Sequence, residues 1–216
     1  MRHFSIFILL IITLLSFSAP EAVSAIKGGI NYSIPVDYSK LSEEELVDKA
    51  KVYYFNSQNA PKNTITEDVT NALVLYSVLE KINSKNPEYP LKQGVLYEKL
   101  NKNRYAKGCF FRAIGINPSN PEAYFYFGEY YYNKEMYRKA LKYYNEAYKL
   151  GFSNNYDTLF RIGDIYEKLG DTRSALKYLN EAFQQSPNTN LENKIKKIEA
   201  KHTVNKEFYS NTRIHG

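Results

Sequence analysis

One arrangement of small and large residues occurs three times between Gly94 and Pro187, and it leaves few folds open. Gly94, Tyr97, Ala106, Phe110, Ala113 and Pro118 return as Gly128, Tyr131, Ala140, Tyr144 and Ala147, then as Gly163, Tyr166, Ala175, Leu179, Ala182 and Pro187. The step from the glycine to the first alanine is 12 residues in every copy. A small residue fixed in register marks a place where two backbones touch. A fixed large residue fills a neighbour's groove, so each copy reads as a pair of packed helices, and stacked pairs read as an all-α array. Arrays of this kind are binding scaffolds, and nothing in the sequence names the partner.

Residues 1–25 stand apart from the fold. Met1-Arg2-His3 is a short charged start, Phe4 to Leu15 an apolar run, and Val23-Ser24-Ala25 a set of small residues suited to cleavage, together the build of a secretory signal peptide. The apolar run is shorter than the roughly 20 residues of a membrane-spanning helix. The expectation is therefore export to a bacterial periplasm or the extracellular space, with a membrane-anchored form only if the signal stays uncleaved. Cys109 is the sole cysteine, which excludes an internal disulfide and reads as a small buried apolar side chain. The net charge of +6 is scattered as single lysines, so nucleic acid is not an expected partner.

The organisation along the chain follows from caps and breakers. Residues 26–41, with Gly28, Gly29 and Pro35, form an extended leader. Residues 42–86 are a divergent first repeat. Ser42 and Glu45 make a capping box for a helix to about Asn56, with Leu46, Ala50 and Tyr53 on one face, and Thr66 caps a second helix bearing Ala72, Tyr76 and Leu79. Ala50 to Ala72 is 22 residues where the clear repeats have 12, so the turn between the two helices carries ten extra residues, and the polar stretch from Ser57 to Ile65, broken by Pro61, lies in it. A loop lengthened on a rigid scaffold is a candidate contact surface. Residues 87–187 hold the three clear repeats, Pro87 to Pro118, Pro121 to Phe152 and Tyr156 to Pro187, with one extra residue near Ser153-Asn154. Residues 188–207 form a capping helix whose Leu191, Ile195 and Ile198 cover the last repeat; fraying is expected from His202, and residues 208–216 are a tail.

Pro121-Glu-Ala-Tyr-Phe-Tyr-Phe-Gly-Glu-Tyr-Tyr and Arg138-Lys-Ala-Leu-Lys-Tyr-Tyr-Asn-Glu-Ala resemble the tetratricopeptide repeat family. The resemblance covers Pro87 to Pro187 well and Ser42 to Asn86 weakly. It implies antiparallel helix pairs stacked into a right-handed superhelical solenoid, whose first helices line a concave groove for peptides or partner proteins. The first clear repeat departs from the pattern with Pro90 and Gln93, where the family has large residues. One subgroup grips a C-terminal carboxylate with basic residues and asparagine; the matching positions here are largely Leu91, Val95, Glu129 and Asp157, and only Arg161 fits, so that activity is rejected.

Groups for chemistry are sparse. His3 leaves with the signal, His202 and His215 lie in the stretch expected to fray, and no phosphate loop, zinc spacing or serine–histidine pairing is present. No catalytic residue, metal or cofactor is expected. Most of the 21 tyrosines occupy packing positions rather than a stacking ladder. In register, Leu91, Phe125 and Phe160 share one position, Val95, Glu129 and Asp164 the next turn, and Glu98, Tyr132 and Glu167 the turn after. If the implied geometry holds, these nine line the groove and make it acidic and aromatic. Lys107, Arg112, Lys139, Lys142 and Lys177 fall on second helices. The expected partner is a protein or peptide carrying lysine or arginine beside apolar anchors. The expected role is an exported scaffold in an envelope or secreted complex; the alternative is a permanent structural subunit of an envelope assembly.

Overall fold

A computed structural model describes residues 38–212; the expected signal, most of the leader and the last four residues lie outside the described residues. Among the described residues there are nine α-helices and no strand. They divide into an N-terminal unit, Met1–Pro118, and a C-terminal unit, Ser119–Gly216.

The N-terminal unit holds α1 (Glu43–Ser57), α2 (Glu67–Ile82), α3 (Glu88–Lys99) and α4 (Asn103–Ile116). The capping box at α1 is formed in both directions: the Glu45 amide donates to Ser42 Oγ at 3.3 Å and the Ser42 amide to Glu45 Oε2 at 2.8 Å. Leu46 and Ala50 of α1 and Ala72, Tyr76 and Leu79 of α2 are buried, as their spacing predicts. Pro90 sits in the first turn of α3, where no intrahelical amide donor is needed. Gln93 is buried with both needs met across the helix pair: its amide donates to the Tyr76 carbonyl at 3.2 Å and to Glu80 Oε2 at 2.8 Å. The ring of Phe110 on α4 occupies the space that Gly94 leaves open, only 2.7 Å from where a Cβ would stand.

The insert is tied down. Lys99 Nζ donates to the carbonyls of Ser57 and Gln58 at 2.5 and 2.7 Å, and the Asn63 amide donates to the Lys99 carbonyl at 3.0 Å. A cation on the last carbonyls of α1 is also favoured by the helix dipole. Asn63 takes a positive φ of 62°, a conformation asparagine tolerates better than most residues. We expect Lys99→Met to speed amide exchange and proteolysis within residues 58–65 while shifting the melting temperature little. Unchanged exchange there would show that the loop is held by other contacts.

The C-terminal unit holds α5 (Pro121–Tyr132), α6 (Tyr137–Lys149), α7 (Tyr156–Lys168), α8 (Thr172–Gln185) and α9 (Thr189–Thr212). Asn120 and Asn155 cap α5 and α7, and Pro121 takes the first helical position, where its missing donor costs nothing. The extra residue between the last two repeats falls at a short 3₁₀ turn, Phe152–Asn154. Gly128 faces the Tyr144 ring and Gly163 faces Leu179, so the glycine-to-large contact recurs. Leu191, Ile195 and Ile198 of α9 pack on Leu159, Leu179 and Ala182, the covering role expected of a terminal helix. Fraying from His202 is not what the backbone does: α9 stays helical to Thr212, since neither proline nor glycine interrupts it.

Cys109 is 2% exposed, and burial pushes its thiol up to about 11 against the opposing pull of Arg112, which fits a packing residue.

Candidate functional site

The nine groove residues divide between the units, three on α3 and six on α5 and α7. Leu91 is 0% exposed and is core, not contact surface. Phe125 and Phe160, at the same repeat position, are half-buried. Val95 and Glu98 are half-buried on α3. A cleft of about 370 Å³ in the same unit, lined by Glu80, Gln93, Tyr105, Cys109 and Arg112 among others, contains an ion pair in which Arg112 Nε meets Glu80 Oε1 at 2.8 Å.

On α5 and α7 the acids are not free. Arg161 of α7 grips Glu129 of α5 with a two-pronged contact, Nε to Oε1 at 2.6 Å and Nη2 to Oε2 at 2.9 Å, and the buried Tyr144 hydroxyl donates to Glu129 Oε1 as well. The planar guanidinium matches a carboxylate in this way, and such pairs are the stronger class of charged hydrogen bond. Asp164 is 6% exposed. It accepts from Lys194 Nζ of α9 at 2.7 Å and from the Tyr132 hydroxyl of α5 at 2.5 Å. Lys194 also reaches Glu167 Oε2 at 2.5 Å, and Lys168 lies 3.8 Å from Asp164. Glu129, Asp164 and Glu167, three of the acids expected to face a basic partner, are thus each paired with a base of the same unit. Arg161, the one match to the carboxylate-gripping subgroup, is likewise occupied.

What remains of the expected face is aromatic and rigid. Phe125 touches the rings of Tyr126 and Tyr144, each 5.6 Å away between centroids, and Phe152 at 6.2 Å. Phe160 stacks on Tyr156 at 6.0 Å with 14° between planes, and Arg161 lies 4.5 Å over the Tyr132 ring. Sequence reasoning missed Arg161, Lys194 and Tyr144 as members of this cluster. The available signal was spacing: Glu129 and Arg161 are 32 residues apart, Asp164 and Lys194 are 30 apart, and the Glu80–Arg112 pair of the other unit is again 32 apart. All three lie near one repeat length.

The network sets a pH dependence. Burial pushes the Asp164 carboxyl up, but hydrogen bonds from Lys194 and Tyr132 and the charges of Lys194 and Lys168 outweigh it and hold the group below its ordinary 3.8. Burial pulls Lys194 down, and its bonds to Asp164 and Glu167 outweigh that, leaving it above its ordinary 10.5. The depressed carboxyl adds stability that is present above its unfolded value and is lost as pH falls through its folded value. The raised ammonium adds stability that is present below its unfolded value and is lost as pH rises through its folded value. We expect the melting temperature of the wild-type chain to fall more steeply below about pH 4 than that of Asp164→Asn, the two curves converging as Asp164 protonates. Parallel curves would remove Asp164 from the acid limb.

Among the described residues no group of His, Cys, Asp and Glu could hold a metal ion, and no helix is long and apolar enough to cross a membrane.

Fold and face together define an all-α helical-repeat protein of the tetratricopeptide-like class. Residues 156–189 match the family described as tetratricopeptide repeat. The match spans one repeat of the chain, and the similar solved structures share its fold. No curated protein matches in sequence. The chain is similar in structure to MamA, at 19% identity over 67% of this chain and 78% of that chain, with a TM-score of 0.56. It is similar to YrrB, described as a TPR protein with an unusual peptide-binding site, at 20% identity over 72% of this chain and 75% of that chain, with a TM-score of 0.55. PilW, described as a type IV pilus biogenesis factor, shares 19% identity over 68% of this chain and 64% of its own, with a TM-score of 0.56. At these identities the likeness is one of fold.

Proposed function

We propose that the protein is an exported interaction scaffold that holds a peptide or protein partner against the α5 and α7 face of its C-terminal unit, in the assembly or maintenance of an envelope or secreted complex. One observation carries the reading: Phe125, Tyr132 and Phe160 stay half-buried on first helices that ion pairs bind together, so apolar contact area is presented without the entropy cost of ordering it. The peptide-binding site described for YrrB and the type IV pilus biogenesis role described for PilW, both on the same fold, support the two halves of the proposal. Export rests on the charged start, the apolar run and Val23-Ser24-Ala25.

A second reading, a permanent structural subunit, draws on a different surface. Val52 and Phe55, three residues apart on α1, are 58% and 72% exposed, and Ile65 in the insert is 54% exposed. An isolated chain leaves these apolar groups in water, as a subunit separated from its neighbour does. One experiment separates the readings: affinity isolation of the tagged protein from its native host. The scaffold reading expects a chain whose intact mass begins at Ile26, and a partner whose capture falls about tenfold or more in Phe125→Ala/Phe160→Ala. A partner at fixed stoichiometry that survives that double change and is lost with Phe55→Asp decides for the permanent subunit.

A further inference from the structure

We infer that the segment taken by the α5 and α7 face is uncharged and apolar, rather than basic. The inference rests on the reading that this face holds a peptide. Three acids and three bases meet there: Glu129, Asp164 and Glu167 against Arg161, Lys168 and Lys194. The cluster is neutral as a whole. Each oxygen of its two less exposed acids already accepts a hydrogen bond, Glu129 from Arg161 at both oxygens and Asp164 from Lys194 and Tyr132. A partner lysine that binds Glu129 or Asp164 must compete with Arg161 or Lys194 for a carboxylate already held in a half-buried pair. That exchange returns no net attraction and leaves a stranded cation beside the incoming one.

A partner carboxylate meets the same obstacle with the signs reversed, because Arg161 and Lys194 are already engaged. Charge of either sign is thus desolvated on this face without compensation, while an apolar or aromatic side chain finds Phe125, Tyr132 and Phe160 already ordered. The paired charges lie well within one screening length of each other, so they project little field into solvent and steer little. The acids of this face are structural cement, and its selectivity is for the absence of charge.

The test is selection of binders from a random peptide library displayed on phage, using the full purified chain as bait, followed by affinity measurement of the selected peptides on wild-type protein at about 50 and about 500 mM salt, across which screening rises severalfold. The expected binders have little net charge and carry aromatic or aliphatic residues. Their affinity changes by less than about twofold over that salt range and falls about tenfold in Phe160→Ala. The salt measurement uses wild-type protein, so it stands whether or not that variant folds, and Phe125→Ala serves as a second probe. Binders rich in lysine or arginine, weakened about tenfold or more by salt and still sensitive to Phe125→Ala or Phe160→Ala, overturn the inference and leave the peptide-holding face intact. Absence of any binder sensitive to either change overturns both.

Discussion

Glu129→Lys lowers the melting temperature of the C-terminal unit by about 10–20 °C, as followed by circular dichroism. The change removes the two-pronged contact to Arg161 at 2.6 and 2.9 Å, strands the hydroxyl of Tyr144, a residue 0% exposed, and sets two cations side by side. Losing one partner of a fully buried pair costs about 3–5 kcal/mol. The Glu129 and Arg161 side chains keep 21% and 30% of their exposure, so water relieves part of the cost and about 2–3 kcal/mol remains. Restoring opposite charges with Glu129→Lys/Arg161→Glu recovers a fraction of the loss, because lysine cannot reproduce the planar fork. A melt unchanged by the single substitution would show that the pair does not hold α5 to α7. On sequence alone the same substitution is a harmless change on a solvated helix face.

Gly163→Ala and Gly115→Ala make the same chemical change with opposite results. Alanine in place of glycine within a helix is worth about 1 kcal/mol when nothing else intervenes. At Gly115, on α4, nothing lies within 4 Å of the new methyl group, so the substitution stabilises the N-terminal unit by about 0.5–1 kcal/mol. At Gly163 the methyl falls 2.7 Å from Leu179 Cγ, 2.9 Å from its Cδ2 and 3.0 Å from its backbone nitrogen. A side-chain rotation clears the first two, but the third requires α8 itself to move. Overpacking of this kind typically costs about 1–3 kcal/mol, at or beyond the helical gain, and a contact with backbone belongs at the upper end. The net expectation is destabilisation by about 1–2 kcal/mol, and a larger loss with Gly163→Val, whose branched side chain meets the same backbone. Denaturant titration of the variants measures both signs. Equal effects at the two positions would mean that the close approach of α7 and α8 is not what fixes glycine there.

These two cases mark where the sequence was legible. Helix starts were readable because their signals are local: Ser42, Thr66, Asn120 and Asn155 each cap a helix within a few residues of their own position. The packing glycines were readable because repetition reveals them three times over, and the stripe on α9 because apolar spacing is a one-helix property. Glu129 and Asp164 were misread as free because their partners sit on another helix, 32 and 30 residues away, and a face drawn one helix at a time cannot include them. Arg161 was weighed only against a carboxylate-gripping pattern, so its nearest acid went unconsidered. Leu91 shared a register column with two phenylalanines, but a column fixes direction and not reach. The extent of α9 was not legible because fraying was expected from His202, whereas backbone continuity needs only the absence of a breaker.

Lys194 stands to Asp164 as Arg161 stands to Glu129: in each case a base two helices further along the chain closes on an acid. The helix that brings Lys194 is not a repeat: α9 carries no glycine, and it packs on α8 without a second helix of its own among the described residues. In the language of polymer growth, α9 is an end group fitted to the unit before it: Lys194 meets the carboxylate of Asp164, while Leu191, Ile195 and Ile198 cover Leu159, Leu179 and Ala182.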